Sequence, residues 1–107
     1  MVTYEDFQKL EIKIGKIKSA EKAAGTDKLL KLIIDFGSEE RQIITALAEF
    51  FPDPGVLVGK EIPVLTNLEP RTFRGYESRG MIIAAEVDGY PVLLQPEKEI
   101  PAGSPVK

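Results

Sequence analysis

Leu10, Ile12 and Ile14 alternate with Glu11 and Lys13, and the alternation then reverses across Gly15, where Ile17 is apolar between Lys16 and Lys18. A period of two marks a half-buried strand. A strand turns one face to a core, so a phase reversal at a glycine predicts a bulge or a sharp bend inside one long strand. Long, bent first strands are how small barrels close. This feature favours a small barrel.

Thr3 and Asp6 have the spacing of a capping box, and Tyr4, Phe7 and Leu10 fall on one helical face, so a short helix is expected near residues 4–9. The Lys22 to Asp27 stretch reads as a turn. Leu30, Leu32, Ile34 and Phe36 then form one face of strand two. Gly37 to Glu40 is a hairpin turn, and strand three covers about Arg41 to Thr45. Ala46 to Phe51 suits one or two helical turns, stopped by Pro52 and Pro54. Strand four runs from about Glu61 to Leu68, where Pro63 marks an edge or a bulge. Strand five, Gly80 to Val87, is nearly all apolar and reads as buried on both faces. Asp88-Gly89 is a two-residue hairpin signal leading into strand six, Tyr90 to Gln95. The tail from Pro96 to Lys107 is extended. The expectation is one all-β domain over residues 1–107. Its plan is the five-stranded Greek-key OB barrel with a short helix between strands three and four, which binds oligonucleotides on one face and its loops. A C-terminal strand and hairpin extension, about residues 88–107, exceeds that plan and is expected to cover an edge or make a dimer.

At 107 residues the chain can bury a modest core without staples. Without Cys it has no disulfide, thiolate metal site or Cys nucleophile. Without His it lacks the commonest general base and the commonest metal ligand. No catalytic residue, metal or cofactor is expected. The carboxylate pairs Glu39-Glu40 and Glu97/Glu99 lie in turns and read as solvated surface. Gly55 to Lys60 is no phosphate-binding P-loop: its glycines are one residue too close, and Glu61 stands where a magnesium-holding Ser or Thr belongs. No apolar run approaches the roughly 18 residues of a membrane span, and the acidic N-terminus lacks the apolar core of a signal peptide, so a cytoplasmic chain is expected.

The net charge of −3 argues against a non-specific nucleic-acid coat. The charge is uneven, however. Residues 9–31 hold seven Lys against three acids, and residues 67–81 hold Arg71, Arg74 and Arg79 against Glu69 and Glu77. If these two segments meet, they form one basic face on an acidic body. The second segment, Asn67 to Met81, lies between two apolar runs and is too polar and turn-rich for core. Its arginines, Asn, Ser and aromatics suit phosphate, sugar and base, and also suit an ordinary solvated loop.

Asn67-Leu68-Glu69-Pro70-Arg71, Arg74-Gly75, Ser78 and Gly80-Met81 together resemble the signature of the tRNA-binding domain family. That family includes a free-standing dimeric tRNA-binding protein and the C-terminal extension of many methionyl-tRNA synthetases. A secretion-chaperone branch shares its fold. The resemblance extends over Phe7 to Ile17, which looks like the family's opening strand, over Asp27-Lys28-Leu29-Leu30, and over Arg41-Gln42-Ile43-Ile44. The chain departs from the pattern at Ala46, where Gly is common. It also carries Thr72 and Phe73 in place of a usual basic-plus-Leu/Met pair, which removes a positive charge.

The resemblance implies a non-catalytic module that reads tRNA shape and backbone. It would act as a free homodimer or as part of, or partner to, a methionyl-tRNA synthetase catalytic chain. The implied tRNA-binding residues are Lys28, Asn67, Arg71, Arg74, Ser78, Arg79 and Met81. Arg74 is the leading phosphate contact, since its fork pairs two oxygens, with Arg71 and Arg79 next. Lys28 is a basic position at the RNA face or a solvated Lys. Asn67 bonds a ribose or base edge, or ties down its own loop as an Asx-turn. Ser78 bonds phosphate or 2′-OH, or caps the loop. Met81 packs on an unstacked base or opens a buried strand. The alternative reading is a dimeric chaperone-like protein of the same fold that binds peptides.

Overall fold

A computed structural model describes all 107 residues. The helix α1 spans Tyr4–Gln8 and carries the full capping box, with the Thr3 hydroxyl accepting from the Asp6 N–H and the Asp6 carboxylate accepting from the Thr3 N–H. None of its residues is buried. β1 (Ile12–Lys22) is the long strand on which the sheet turns. It pairs with β4 (Glu61–Leu65) through Ile12 to Lys16 and with β2 (Leu30–Asp35) from Lys16 onward. β3 (Glu40–Thr45) pairs with β2. All these pairings are antiparallel.

Gly15 sits one residue before β1 changes partners. A Cβ there would lie 2.3 Å from Ile34 Cγ2 and 2.7 Å from the Phe36 ring, so only glycine lets the two strands cross this closely. The bulge itself falls two residues on, where the β2 register shifts between Ile17 and Ser19. The phase reversal is thus divided between a close crossing and a bulge.

Ala46 to Phe51 forms no helix. The one turn of 3₁₀ helix lies beyond the first proline, at Pro54–Leu57. Asp53 caps it by accepting from the Gly55 N–H at 3.2 Å, and Pro54 presets its first φ. Leu57 plugs the barrel end from this turn at 1% exposure. Its neighbours in the core are Ile17, Leu30, Leu32, Ile34, Ile43, Ile62 and Val64.

β4 ends at Leu65, earlier than expected, and lies inside the sheet, between β1 and β7 (Met81–Ile82). Pro63 is tolerated because β7 is only two residues long. Its carbonyl accepts the last bond on that side, from the Ile83 N–H, so its missing N–H falls where pairing stops. Between β4 and β7 a separate hairpin stands out, β5 (Arg71–Phe73) and β6 (Tyr76–Ser78).

The expectation of a strand buried on both faces from Gly80 to Val87 fails. The run breaks at Ile83 into β7 and β8 (Ala84–Val87), and every residue of β8 is exposed. β8 pairs only with β9 (Tyr90–Leu93), forming a hairpin that leaves the barrel. The reason is topological: the β4 edge accepts two residues and the next segment has no second neighbour. The Asp88-Gly89 turn is as expected, with φ of 49° and 83°, the double left-handed conformation of a two-residue hairpin. The tail returns to β1, where β10 (Pro105–Val106) pairs with Ile12 and Lys13, and the Ile14 N–H donates to the Ser104 carbonyl at 2.9 Å. The Glu61 carboxylate, 8% exposed, accepts from the Ile100 N–H and fastens the tail's start.

Candidate nucleic-acid interface

The sheet curls until β3 faces the segment that follows β6. One backbone bond crosses this seam, Arg79 N–H to Gln42 carbonyl at 3.0 Å, and side chains supply the rest. The Ser78 hydroxyl accepts from the Ile44 N–H at 3.0 Å and donates to the Gly80 carbonyl at 3.1 Å. The Gln42 amide donates to the Glu77 carbonyl at 3.0 Å. The Arg41 guanidinium reaches both ends of the loop, donating to the Thr66 carbonyl at 2.6 Å and to the Arg79 carbonyl at 3.2 Å. Glu39 pairs with Arg41 from the solvent side, and that guanidinium holds the Glu39 carboxyl below its usual range, helped by Arg79 and Lys13 nearby. Arg41 and Gln42 carry the loop as surely as its own residues do. In the sequence they stand only as part of the family-like stretch Arg41-Gln42-Ile43-Ile44, with no role at the loop assigned to them.

Thr66 and Asn67 tie the loop's entry to the start of β1. The Thr66 hydroxyl donates to the Glu11 carbonyl at 2.8 Å. The Asn67 side chain accepts from the Glu11 N–H at 2.9 Å and donates to the Lys9 carbonyl at 2.7 Å. Asn67 therefore makes no Asx-turn in its own loop; it clasps a segment 56 residues away. Ser78 is 3% exposed with its hydroxyl used in both directions, so of its two readings the loop cap fits its surroundings. Met81 is 45% exposed and is not core.

The β5–β6 hairpin leans over the loop between β1 and β2. Phe73 and Tyr76 are cross-strand partners, and the Tyr76 hydroxyl donates to the Ala24 carbonyl at 2.8 Å. Between the same hairpin and loop lies a groove of about 600 Å³. Lys28 and Leu29 line it from one side, Thr72, Phe73 and Arg74 from the other. In a barrel of this plan, the loop after the first strand and the loop after the fourth flank the oligonucleotide-binding face.

Arg74 occupies the first turn position with φ 52°, followed by Gly75 at 87°. Asn, Asp and Gly are the usual occupants of that left-handed position; an arginine there costs about 1 kcal/mol or more of backbone strain. Arg71 lies over the Phe73 ring, 4.8 Å from its centroid. Arg71, Arg74 and Arg79 have no carboxylate partner within 4.0 Å.

The lysines of residues 9–31 do not gather into one face. Lys9, Lys16, Lys18 and Lys31 pair with Asp6, Glu99, Glu40 and Glu21. The partners of Lys18 and Lys31 raise their pKa values. Lys13, Lys22 and Lys28 have no such partner, and Lys28 meets Arg74 across the groove. One cation from each basic segment, Lys28 and Arg74, thus lines the same groove, beside Asp27.

Comparison with known proteins gives the family. The chain is 54% identical over 105 residues to the methionine–tRNA ligase of Archaeoglobus fulgidus, covering 98% of this chain and 16% of that enzyme. It spans only about a sixth of the length of such ligases. The crystal structure of a MetRS-related protein from Pyrococcus horikoshii superposes with a TM-score of 0.94 at 42% identity, covering 100% of this chain and 98% of that one. The chaperone CsaA from Bacillus anthracis superposes with a TM-score of 0.90 at 30% identity, covering 100% and 99%. Residues 12–105 match the family model described as "Putative tRNA binding domain". With its seam, groove and loop all inside that span, the chain belongs to the tRNA-binding domain family.

Proposed function

We propose that this chain is a non-catalytic tRNA-binding module that holds tRNA by shape and backbone and thereby assists aminoacylation. It does so as a free protein or as a part or partner of a methionyl-tRNA synthetase catalytic chain. The observation that carries the reading is Arg74. It is an unpaired cation at the tip of a hairpin, held in a strained backbone position across a groove from unpaired Lys28. Arg71 and Arg79 extend the contact to neighbouring phosphates, and Met81 lies exposed beside them. Asn67 and Ser78 serve by holding the loop in place. A module of this kind works by raising the local concentration of tRNA at a synthetase. It acts in the cytoplasm.

The proposed state is a homodimer. Val87, Tyr90 and Val92 on the β8–β9 hairpin are 58%, 65% and 47% exposed, an apolar surface that a second copy would cover. Two basic grooves in one particle would add avidity to modest single-site affinity.

The test is fluorescence anisotropy of labelled bulk tRNA at two salt concentrations, with Arg74→Asn beside the wild type. Asn accepts the left-handed turn, so the fold is kept. Binding should weaken steeply with salt. The variant should bind about tenfold more weakly, the loss of one charged hydrogen-bonding group, with a salt slope smaller by about one. A second reading, a dimeric chaperone-like peptide binder, draws support from the chaperone CsaA likeness and the exposed hairpin. Absence of tRNA binding at low salt, with binding of unfolded peptides, would replace the first reading by the second.

A further inference from the structure

We propose that the groove beside the β5–β6 hairpin takes an unstacked nucleobase against the Phe73 ring, so that the module reads an unpaired nucleotide as well as the RNA backbone. This rests on the tRNA-binding reading and names the part of the RNA that the groove takes.

The groove's lining is of mixed chemistry, with Asp27 as its one acid. Lys28 and Arg74 supply cations, and Leu29 and Phe73 supply apolar surface. A site for phosphate alone needs only the first kind. Cations beside a flat apolar wall match a nucleotide, with its phosphate at one end and its aromatic face at the other. Phe73 does not serve the barrel: it lies outside the buried cluster and outside the residues packed against that cluster. Its orientation is nevertheless fixed. It shares a sheet face with its cross-strand partner Tyr76, and the Tyr76 hydroxyl pins that face to the 23–29 loop through Ala24. The Arg71 guanidinium lies over the ring, 4.8 Å from its centroid and without a carboxylate partner, and so offers a second planar surface, a charged one, at the same place. Guanidinium planes and aromatic rings are the two surfaces on which splayed bases stack. The groove's volume of about 600 Å³ lies within the range of pockets that hold small molecules, about 300–1,000 Å³.

The chain contains no Trp, so Phe73→Trp places a single indole at the site. Its emission is titrated with bulk tRNA and with a fully paired RNA duplex at low salt. Affinities of Phe73→Leu and Phe73→Tyr for both RNAs are measured by anisotropy. We expect tRNA to quench the indole and the duplex to leave it unchanged. Phe73→Leu, which keeps apolar bulk and loses the ring, should bind tRNA about tenfold more weakly. Its duplex affinity should stay within twofold of wild type, and Phe73→Tyr should restore tRNA binding. Wild-type affinity of Phe73→Leu for tRNA, with no preferential quenching of the indole, would overturn the proposal and leave the backbone-binding reading standing. Failure of the wild type to bind tRNA at all would remove both.

Discussion

The chain contains two hairpins with the same two-residue turn and opposite roles. β5–β6 turns through Arg74-Gly75 and β8–β9 through Asp88-Gly89, and all four residues have positive φ. Asp-Gly is the residue pair this turn favours. Arg-Gly is not, and the arginine's strain persists because the surroundings over-determine the hairpin. Tyr76 fastens it to the 23–29 loop, Ser78 to β3 and to Gly80, and Gln42 to Glu77. The β8–β9 hairpin has no such ties. Its link to the rest of the chain is the edge-to-face contact of Tyr90 with Phe50 at 5.6 Å, together with Leu93 against the core. The tied hairpin carries polar, unpaired cations at its tip; the loose one carries exposed apolar side chains. The lesson is that turn geometry does not assign a role. The ties around it do, because only a fastened hairpin can hold an unfavourable residue in a left-handed turn.

The largest way to break the contrast is to cut a tie. Ser78→Ala leaves the buried Ile44 N–H without its acceptor and should cost about 1–3 kcal/mol, read as a lower urea midpoint at unchanged m-value. The affinity for tRNA should fall with it, since the loop loses its seam to β3. The second way is to relieve the strain. Arg74→Asn should raise stability by about 1 kcal/mol while weakening tRNA binding, a trade that calorimetry and anisotropy read together. Asp88→Asn at the loose hairpin, already a favoured turn, should change neither. The smallest effect is at Glu39, whose carboxyl accepts from Arg41 at the loop's foot. Its folded pKa lies below the ordinary 4.5, so its contribution is complete above that pH and is lost as pH falls through the folded value. Glu39→Gln should therefore be slightly less stable than wild type at pH 7. The difference should disappear in urea titrations taken progressively below pH 4.5, and β8–β9 should show no matching dependence.

Much of this was legible in the chain itself. The capping box at Thr3, the apolar alternation in Leu30 to Phe36, and the Asp88-Gly89 turn are local signals, and each appears where the residues place it. The run from Gly80 to Val87 misleads because an apolar strand reads the same whether its neighbours are a core or nothing. The 3₁₀ turn falls later than expected because Pro54 starts a turn more readily than Pro52 ends one. At the site, the signature residues identified the loop and its arginines. Arg41, Gln42 and Tyr76 were missed, since each works through a partner 25 to 52 residues away.

By itself, the sequence determined the barrel plan, the family and the stock of cations, because these come from periodicity, composition and a motif of fixed order. The tertiary structure decided which of those cations are available. Four of the seven lysines between residues 9 and 31 are paired with carboxylates, whereas Lys28 is left opposite Arg74. It also decided that Asn67 and Ser78 hold the loop together. The physical reason is range: strand period and turn type are set by neighbours in the chain, but pairing of charges and satisfaction of buried donors depend on which distant segments the barrel brings within hydrogen-bond reach.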